Sequence, residues 1–280
     1  MKITYIYHSG FLVESADAYY IFDYYRADFP VTDADKPVYV FVSHRHPDHY
    51  NPYVFEILRE KKWRRLTGII SYDIKPRNYT SHMEGVEIIA AEPDKEYTLD
   101  NGALVRTLRS TDKGVAYVVT FDDGGVPRSV YHAGDLNDWV WEGEDERVNK
   151  WMTGSYRRYL TAVEGMHFDA VMVPVDSRQG DDMFRGIEYL LEKVKADAVY
   201  PMHYWDKPEV IMQFAGKYPQ YADIIMYTED RMDRYSVIED KNPREIVLLR
   251  GSGCVYKKCT FCDYYSDSGK DEDVNYMINR

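Results

Sequence analysis

The chain has 280 residues, 45% of them hydrophobic and 29% charged, which is the composition of a folded globular protein and excludes a disordered one. Its 47 acids outnumber its 35 lysines and arginines, giving a net charge of −12 that argues against a broad basic surface for nucleic acid but leaves room for a local cluster that holds a small anion. No apolar run approaches the roughly 20 residues that span a bilayer, and the opening MKITYIYHSG has no signal-peptide core, so neither a membrane nor a nucleic acid is an expected partner.

Short aromatic and β-branched segments at 3–7, 11–14 and 19–23 read as strands separated by turns. Val38–Val42, VYVFV, is a continuous apolar run that suits a strand buried on both faces. Asn51-Pro52 then supplies an N-cap and a first-turn proline for a helix over 51–66, with Phe55 and Leu58 on one face. Further strands are expected at 68–71, 86–90, 103–108, 115–121 and 129–132, the last two joined by the turn Asp122-Asp123-Gly124-Gly125. The second half alternates: helix 144–163, strand 170–175, helix 184–196, strand 198–202, helix 208–218. A strand-rich half followed by a β/α half predicts layered sheets with helices outside.

Chemistry concentrates where VYVFV runs out, in Ser43-His44-Arg45-His46-Pro47-Asp48-His49. Four metal-competent side chains fall within six residues, and a loop at a strand end can turn them toward two neighbouring ions. Imidazole and carboxylate suit zinc, manganese or iron, and no sulfur is nearby. A polar helix cap would also follow a buried strand, but packing rarely requires clustered His and Asp at ligand spacing.

This motif resembles that of the metallo-β-lactamase superfamily of metal-dependent hydrolases, over roughly residues 1–235. Tyr7-His8-Ser9-Gly10-Phe11 and His132-Ala133-Gly134-Asp135 resemble the branch with ascorbate-6-phosphate lactonase-like and phospholipase D-like enzymes. The resemblance implies an α+β, four-layer αββα sandwich with its active site along one edge of the two sheets, holding two divalent metal ions, zinc foremost and manganese or iron as alternatives. It implies that His44 and His46 ligate the first metal, Asp48 and His49 the second, that Asp135 bridges both, and that His203, in Tyr200-Pro201-Met202-His203, completes the second. Asp23 resembles the buried aspartate that orients a ligand. The family histidine expected between His49 and His132 is missing. His82 comes too early, and the matching turn, Arg109-Ser110-Thr111-Asp112-Lys113-Gly114, offers Asp112 as the replacement ligand.

A metal-bridging hydroxide would then attack a phosphoester, lactone or amide of a small molecule, anionic or not, with Asp48 and Asp135 holding it and His132 or metal-bound water protonating the leaving group. His8 lies where the first strands meet the site and reads equally as a lining or a packed residue. Trp139, Trp141, Tyr204 and Trp205 follow ligand motifs and read as pocket walls or as core. Arg178 reads as an anion contact or as a salt-bridge partner of Asp176.

All three cysteines, Cys254, Cys259 and Cys262, lie in the last tenth of the chain. The first 253 residues therefore carry no disulfide framework, and a reducing cytoplasm is the expected compartment. The spacing C-x4-C-x2-C, after a strand at 245–249 and a glycine turn, resembles the opening of a radical S-adenosylmethionine domain, although that family more often uses C-x3-C-x2-C and only 18 residues follow Cys262. These cysteines could hold a 4Fe-4S cluster. The expected division is a hydrolase domain at 1–240 and a linker with a cysteine-bearing tail at 241–280. Two other classes fit the same residues: an iron-containing redox protein with an iron–sulfur tail, and a degenerate binding module that has lost catalysis.

Overall fold

The structure, a computed structural model, describes residues 1–27, 31–75 and 81–227 and, beyond them, the backbone of two further strands. The chain divides into two compact units, Met1–Thr228 and Glu229–Arg280.

In the first unit, β1 (Lys2–Tyr7), β2 (Gly10–Glu14), β3 (Tyr19–Phe22), β4 (Val38–Val42), helix α1 (Tyr53–Glu60), β5 (Leu66–Ser71) and β6 (Glu87–Ala91) build a six-stranded sheet in the order β1-β2-β3-β4-β5-β6. β1 to β3 are antiparallel, and β3 to β6 run parallel. A second six-stranded sheet uses β7 (Glu96–Thr98), β8 (Leu104–Arg109), β9 (Val115–Asp122), β10 (Pro127–His132), β12 (Ala170–Pro174) and β14 (Val199–Met202), in the order β14-β12-β10-β9-β8-β7. Helices α2 (Glu146–Leu160), α3 (Arg185–Lys193) and α4 (Glu209–Lys217) interleave with its later strands, and β11 (His167–Phe168) pairs with β13 (Lys195–Ala196) beside them.

The alternation of β4 explains the layering. Tyr39 and Phe41 face the core between the sheets, whereas Val38, Val40 and Val42 face the other way, onto Val54, Phe55 and Leu58 of α1. Phe41 stacks on Phe22 at 4.7 Å and meets Tyr117 of the opposite sheet edge-on at 5.2 Å. The buried Tyr117 hydroxyl lies 2.9 Å from the carbonyl of Val42 and 3.1 Å from that of Ile69, which ties the sheets together. Tyr156 and Leu160 of α2, Ile187 and Leu190 of α3, and Ile211 and Phe214 of α4 cover the second sheet. The result is the expected αββα sandwich of the metallo-β-lactamase fold.

Helix α1 ends six residues before the expected limit. Lys62 adopts a left-handed φ of 72°; its N–H bonds Arg59 O at 2.9 Å, and Trp63 N–H bonds Leu58 O at 3.0 Å. This 6→1 and 5→2 pair closes the helix and lets Trp63 bury against the same cluster as Leu58. Lysine pays a steric cost there that glycine does not. Lys62→Gly is expected to raise stability by about 0.5–1 kcal/mol in urea denaturation; an unchanged or lower midpoint would contradict it.

In the second unit the described backbone is one antiparallel hairpin, β15 (Met232–Val237) with β16 (Arg244–Leu249), Met232 opposite Leu249. The strand expected at 245–249 lies within β16, and position 240 falls between the two strands. Cys254, Cys259 and Cys262 lie outside the described residues.

Candidate metal centre

The sequence-predicted ligands sit at the C-terminal ends of strands from both sheets, where parallel packing gathers strand ends along one edge. His8 follows β1, Asp23 follows β3, His44 to His49 follow β4, Asp135 follows β10 and His203 follows β14, while Asp112 lies in the β8–β9 turn. His8, Asp23 and His203 have left-handed φ values of 58°, 40° and 65°. The backbones of the first and last are joined by His203 N–H to His8 O at 3.2 Å. Such conformations persist where the surroundings over-determine them, and they concentrate at functional sites.

Two groups of donors result, each with its ligand atoms within 4.8 Å of one another: His44, His46, Asp112 and Asp135, and His8, Asp48, His49 and His203. In the first, His44 Nε2 lies 3.0 Å from His46 Nδ1 and 3.4 Å from Asp135 Oδ2, and His46 Nδ1 lies 3.4 Å from Asp112 Oδ2. In the second, His8 Nε2 is 3.3 Å from Asp48 Oδ2. Asp135 joins the groups: its Oδ1 lies 3.2 Å from His49 Nε2 and 3.5 Å from His203 Nε2. The geometry thus collects every ligand expected from the sequence, Asp112 included, and adds His8.

Several of these atoms are buried without a hydrogen bond among the described residues: both ring nitrogens of His8, His49 Nε2 and Asp135 Oδ1. Buried polar atoms are rarely left unmatched, and converging donors of this kind fit divalent cations. Burial and the charge of Asp135 together raise the pKa of Asp112, so two carboxylates face each other across a space that a cation would neutralise. Burial, then the charge of His49, lowers His44 to about 3, which keeps that imidazole in the neutral form a metal requires. Burial would raise Asp135, but the neighbouring histidines hold it well below the usual carboxylate range.

An outer layer fixes the ligands. Asp23 accepts from Ser43 N–H at 2.7 Å and from Ser43 Oγ at 2.6 Å, and it meets His49 Nδ1 at 2.7 Å. Asp176, fully buried after β12, does the same for His203 Nδ1 at 2.9 Å. Sequence reading missed this role; the only signal was a buried strand running into Val175-Asp176-Ser177-Arg178. Were metal held at His203, Asp176→Asn should weaken its binding by about 10–100-fold in a chelator competition while the fold survives; unchanged affinity would remove Asp176 from the orienting set.

One expected role is corrected. His132 is fully buried, its Nε2 lies 2.8 Å from Ser9 O, its Nδ1 accepts from Gly134 N–H at 3.1 Å, and its ring stacks on Phe22 at 5.1 Å. With both nitrogens engaged it does not line the cavity, and it braces the turn into Asp135 instead of protonating a leaving group. Tyr204 is likewise core, stacked on Tyr5. His82 ion-pairs with Glu56 of α1, and His167 with Asp197.

The donors floor a cavity of about 350 Å3 lined by His46, Asp48, Asp112, Asp135 and His203 and walled by Trp139, Trp141, Met152, Arg178 and Trp205. Arg178 is the expected salt-bridge partner of Asp176, onto which its Nε and Nη2 fork, and it also lines the cavity. Among the described residues, no helix is long and apolar enough to cross a membrane.

This fold and donor arrangement define a metallo-β-lactamase-fold protein. Residues 2–140, just under half of the chain, match the family described as beta-lactamase superfamily domain. Solved structures with the same fold include a metallo hydrolase from the hyperthermophilic archaeon Ignicoccus hospitalis (18% identity, 88% of this chain and 97% of that one, TM-score 0.53). A candidate metal-dependent hydrolase from Parabacteroides distasonis is similar at 15% identity, over 80% and 90% of the two chains, with a TM-score of 0.54. Another candidate metal-dependent hydrolase, from Veillonella parvula, is similar at 12% identity, over 81% and 96%, with a TM-score of 0.53. No curated protein matches the sequence. The matched residues lie wholly within the first unit, whose fold these solved structures share.

Proposed function

We propose that this protein is a metal-dependent hydrolase whose two half-sites hold two divalent ions, zinc foremost, and act on a phosphoester, lactone or amide of a small molecule, as in the lactonase-like branch that its motifs resemble. The observation that carries this reading is the sharing of Asp135 between two donor groups in which both ring nitrogens of His8, His49 Nε2 and Asp135 Oδ1 are buried without a hydrogen bond among the described residues. Bound ions would acidify a water and polarise the scissile group. Hydrolysis joins the water oxygen to phosphorus or the acyl carbon, breaks the bond to the leaving group, and divides the water protons between the two products.

The chain's own residues position that chemistry. Burial opposes ionisation of Asp48, but contacts with His8 and His49 keep its pKa well below the usual range, so it can accept a hydrogen bond from the attacking water. His46 and Asp112 are partly exposed at the open side, where a leaving group can take its proton from solvent. The absence of cysteine from the first 253 residues supports a cytoplasmic setting.

Protein purified without chelator, assayed for metal and then against a phosphodiester, a lactone and an amide, tests the proposal. Zinc or manganese with turnover that His46→Ala abolishes is the expected result. Iron with visible absorption and no turnover would favour the redox reading, and no bound metal would favour a degenerate module.

A further inference from the structure

The cavity has two chemically different sides. The first-site side, at His46 and Asp112, is open and acidic. The second-site side is aromatic. Trp139 is pinned by its indole N–H to Asp135 O at 2.8 Å, lies parallel to Trp141 with 1° between planes at 5.8 Å, and packs edge-on to His203 at 5.5 Å. Trp205 rests 4.3 Å from the His8 ring. Three indoles at one end of a small cavity give flat apolar faces that the proposed ions do not need.

Arg178 sits among them. Its guanidinium carbon lies 5.9 Å from the Trp141 centroid and 5.3 Å from that of Trp205. The fork onto buried Asp176 fixes Nε and Nη2, and Nη1 has no hydrogen-bond partner among the described residues. A cation held rigidly with one donor edge spare is built to meet an anion, since planar charge-assisted contacts cost a pre-ordered arginine little. The same placement argues against a cationic ligand, because the guanidinium charge would repel it.

Resting on the hydrolase reading, we propose that the substrate is a small, flat aromatic or conjugated molecule bearing an anionic group remote from the scissile bond. Its ring lies against Trp141 and Trp205, its anion meets Arg178 Nη1, and its scissile group reaches the floor at Asp135. A cavity of about 350 Å3 accommodates a one- or two-ring compound.

The test uses metal-loaded full-length protein and weak metal ligands as probes, followed by tryptophan fluorescence and calorimetry. Benzenesulfonate should bind about tenfold more tightly than cyclohexanesulfonate, which lacks the flat face, and than methyl phenyl sulfone, which lacks the charge. Arg178→Gln should erase the preference over the sulfone, Arg178→Lys should keep part of it, and Trp141→Leu should erase the preference over cyclohexanesulfonate, each variant being checked for an unchanged thermal transition. Equal binding of the three probes, or a charge preference that survives Arg178→Gln, overturns the proposal. The hydrolase reading is scored separately. Selective benzenesulfonate binding without turnover of any ester sinks that reading and leaves the aromatic-anion site standing, whereas turnover without probe selectivity does the reverse.

Discussion

Asp135→Ala is expected to leave the protein with neither metal ion after gel filtration, as measured by elemental mass spectrometry. Asp135 presents Oδ2 to His44 and Oδ1 to His49 and His203, so one truncation strips a donor from both half-sites. It also removes a buried negative charge that would offset that of a bound cation. Asp112→Ala, by contrast, should lose about one equivalent, because Asp112 belongs only to the group with His44 and His46. Asp112→His should restore it, since imidazole serves the same ions. Two tightly bound ions in Asp135→Ala would show that the halves do not share this residue, and two in Asp112→Ala would leave the first site to other ligands.

A second large effect is expected where the metal loop packs on the β8–β9 turn. Gly114 has a φ of 71°, and a methyl group added there would sit 1.8 Å from Ser43 O and 2.7 Å from His44 Cβ. Ser43 O is itself bound by Val115 N–H at 2.9 Å, so the obstacle is backbone that cannot step aside. Gly114→Ala should destabilise the metal-free protein by at least about 3 kcal/mol in urea denaturation, and should displace His44 enough to weaken metal binding. Gly102→Ala is the control: its φ of 86° carries the conformational cost, but nothing lies within 4 Å of the added methyl. About 1 kcal/mol is expected there. Similar losses in the two variants would mean that backbone strain, not close packing behind His44, sets the requirement for glycine.

The sequence made these features legible to different depths. VYVFV and the other core strands could be placed because their burial shows in local composition, and the HxHxDH cluster because four metal-competent side chains share six residues. Asp112 could be found only through the resemblance, by the turn in which a histidine was missing. β7, Glu-Tyr-Thr, is short, polar and largely exposed, and its strand character comes from pairing with β8. The stop of α1 at Lys62 depends on a left-handed residue that is neither glycine nor asparagine. His8 and His132 lie in motifs of similar promise, yet one opens onto the donors and the other is spent on Ser9 and Gly134. That difference comes from which way each turn faces once two sheets have packed, and no local pattern carries it. Asp176 was hidden for the same reason, since its partner lies 27 residues away.

The hydrogen bond from His203 to His8 has a consequence for how the site comes into being during synthesis. Residue 8 is held by residue 203, and the remaining donors are scattered between them along the first unit. No nascent fragment ending before His203 contains the full donor set, so high-affinity capture of ions belongs to the finished unit. Contacts this distant in sequence form late and slowly. Ions bound there would act as a clasp fastened last, raising the stability of the closed state by mass action. An incompletely translated chain would keep its HxHxDH loop but not the clasp, and would remain exposed to proteolysis.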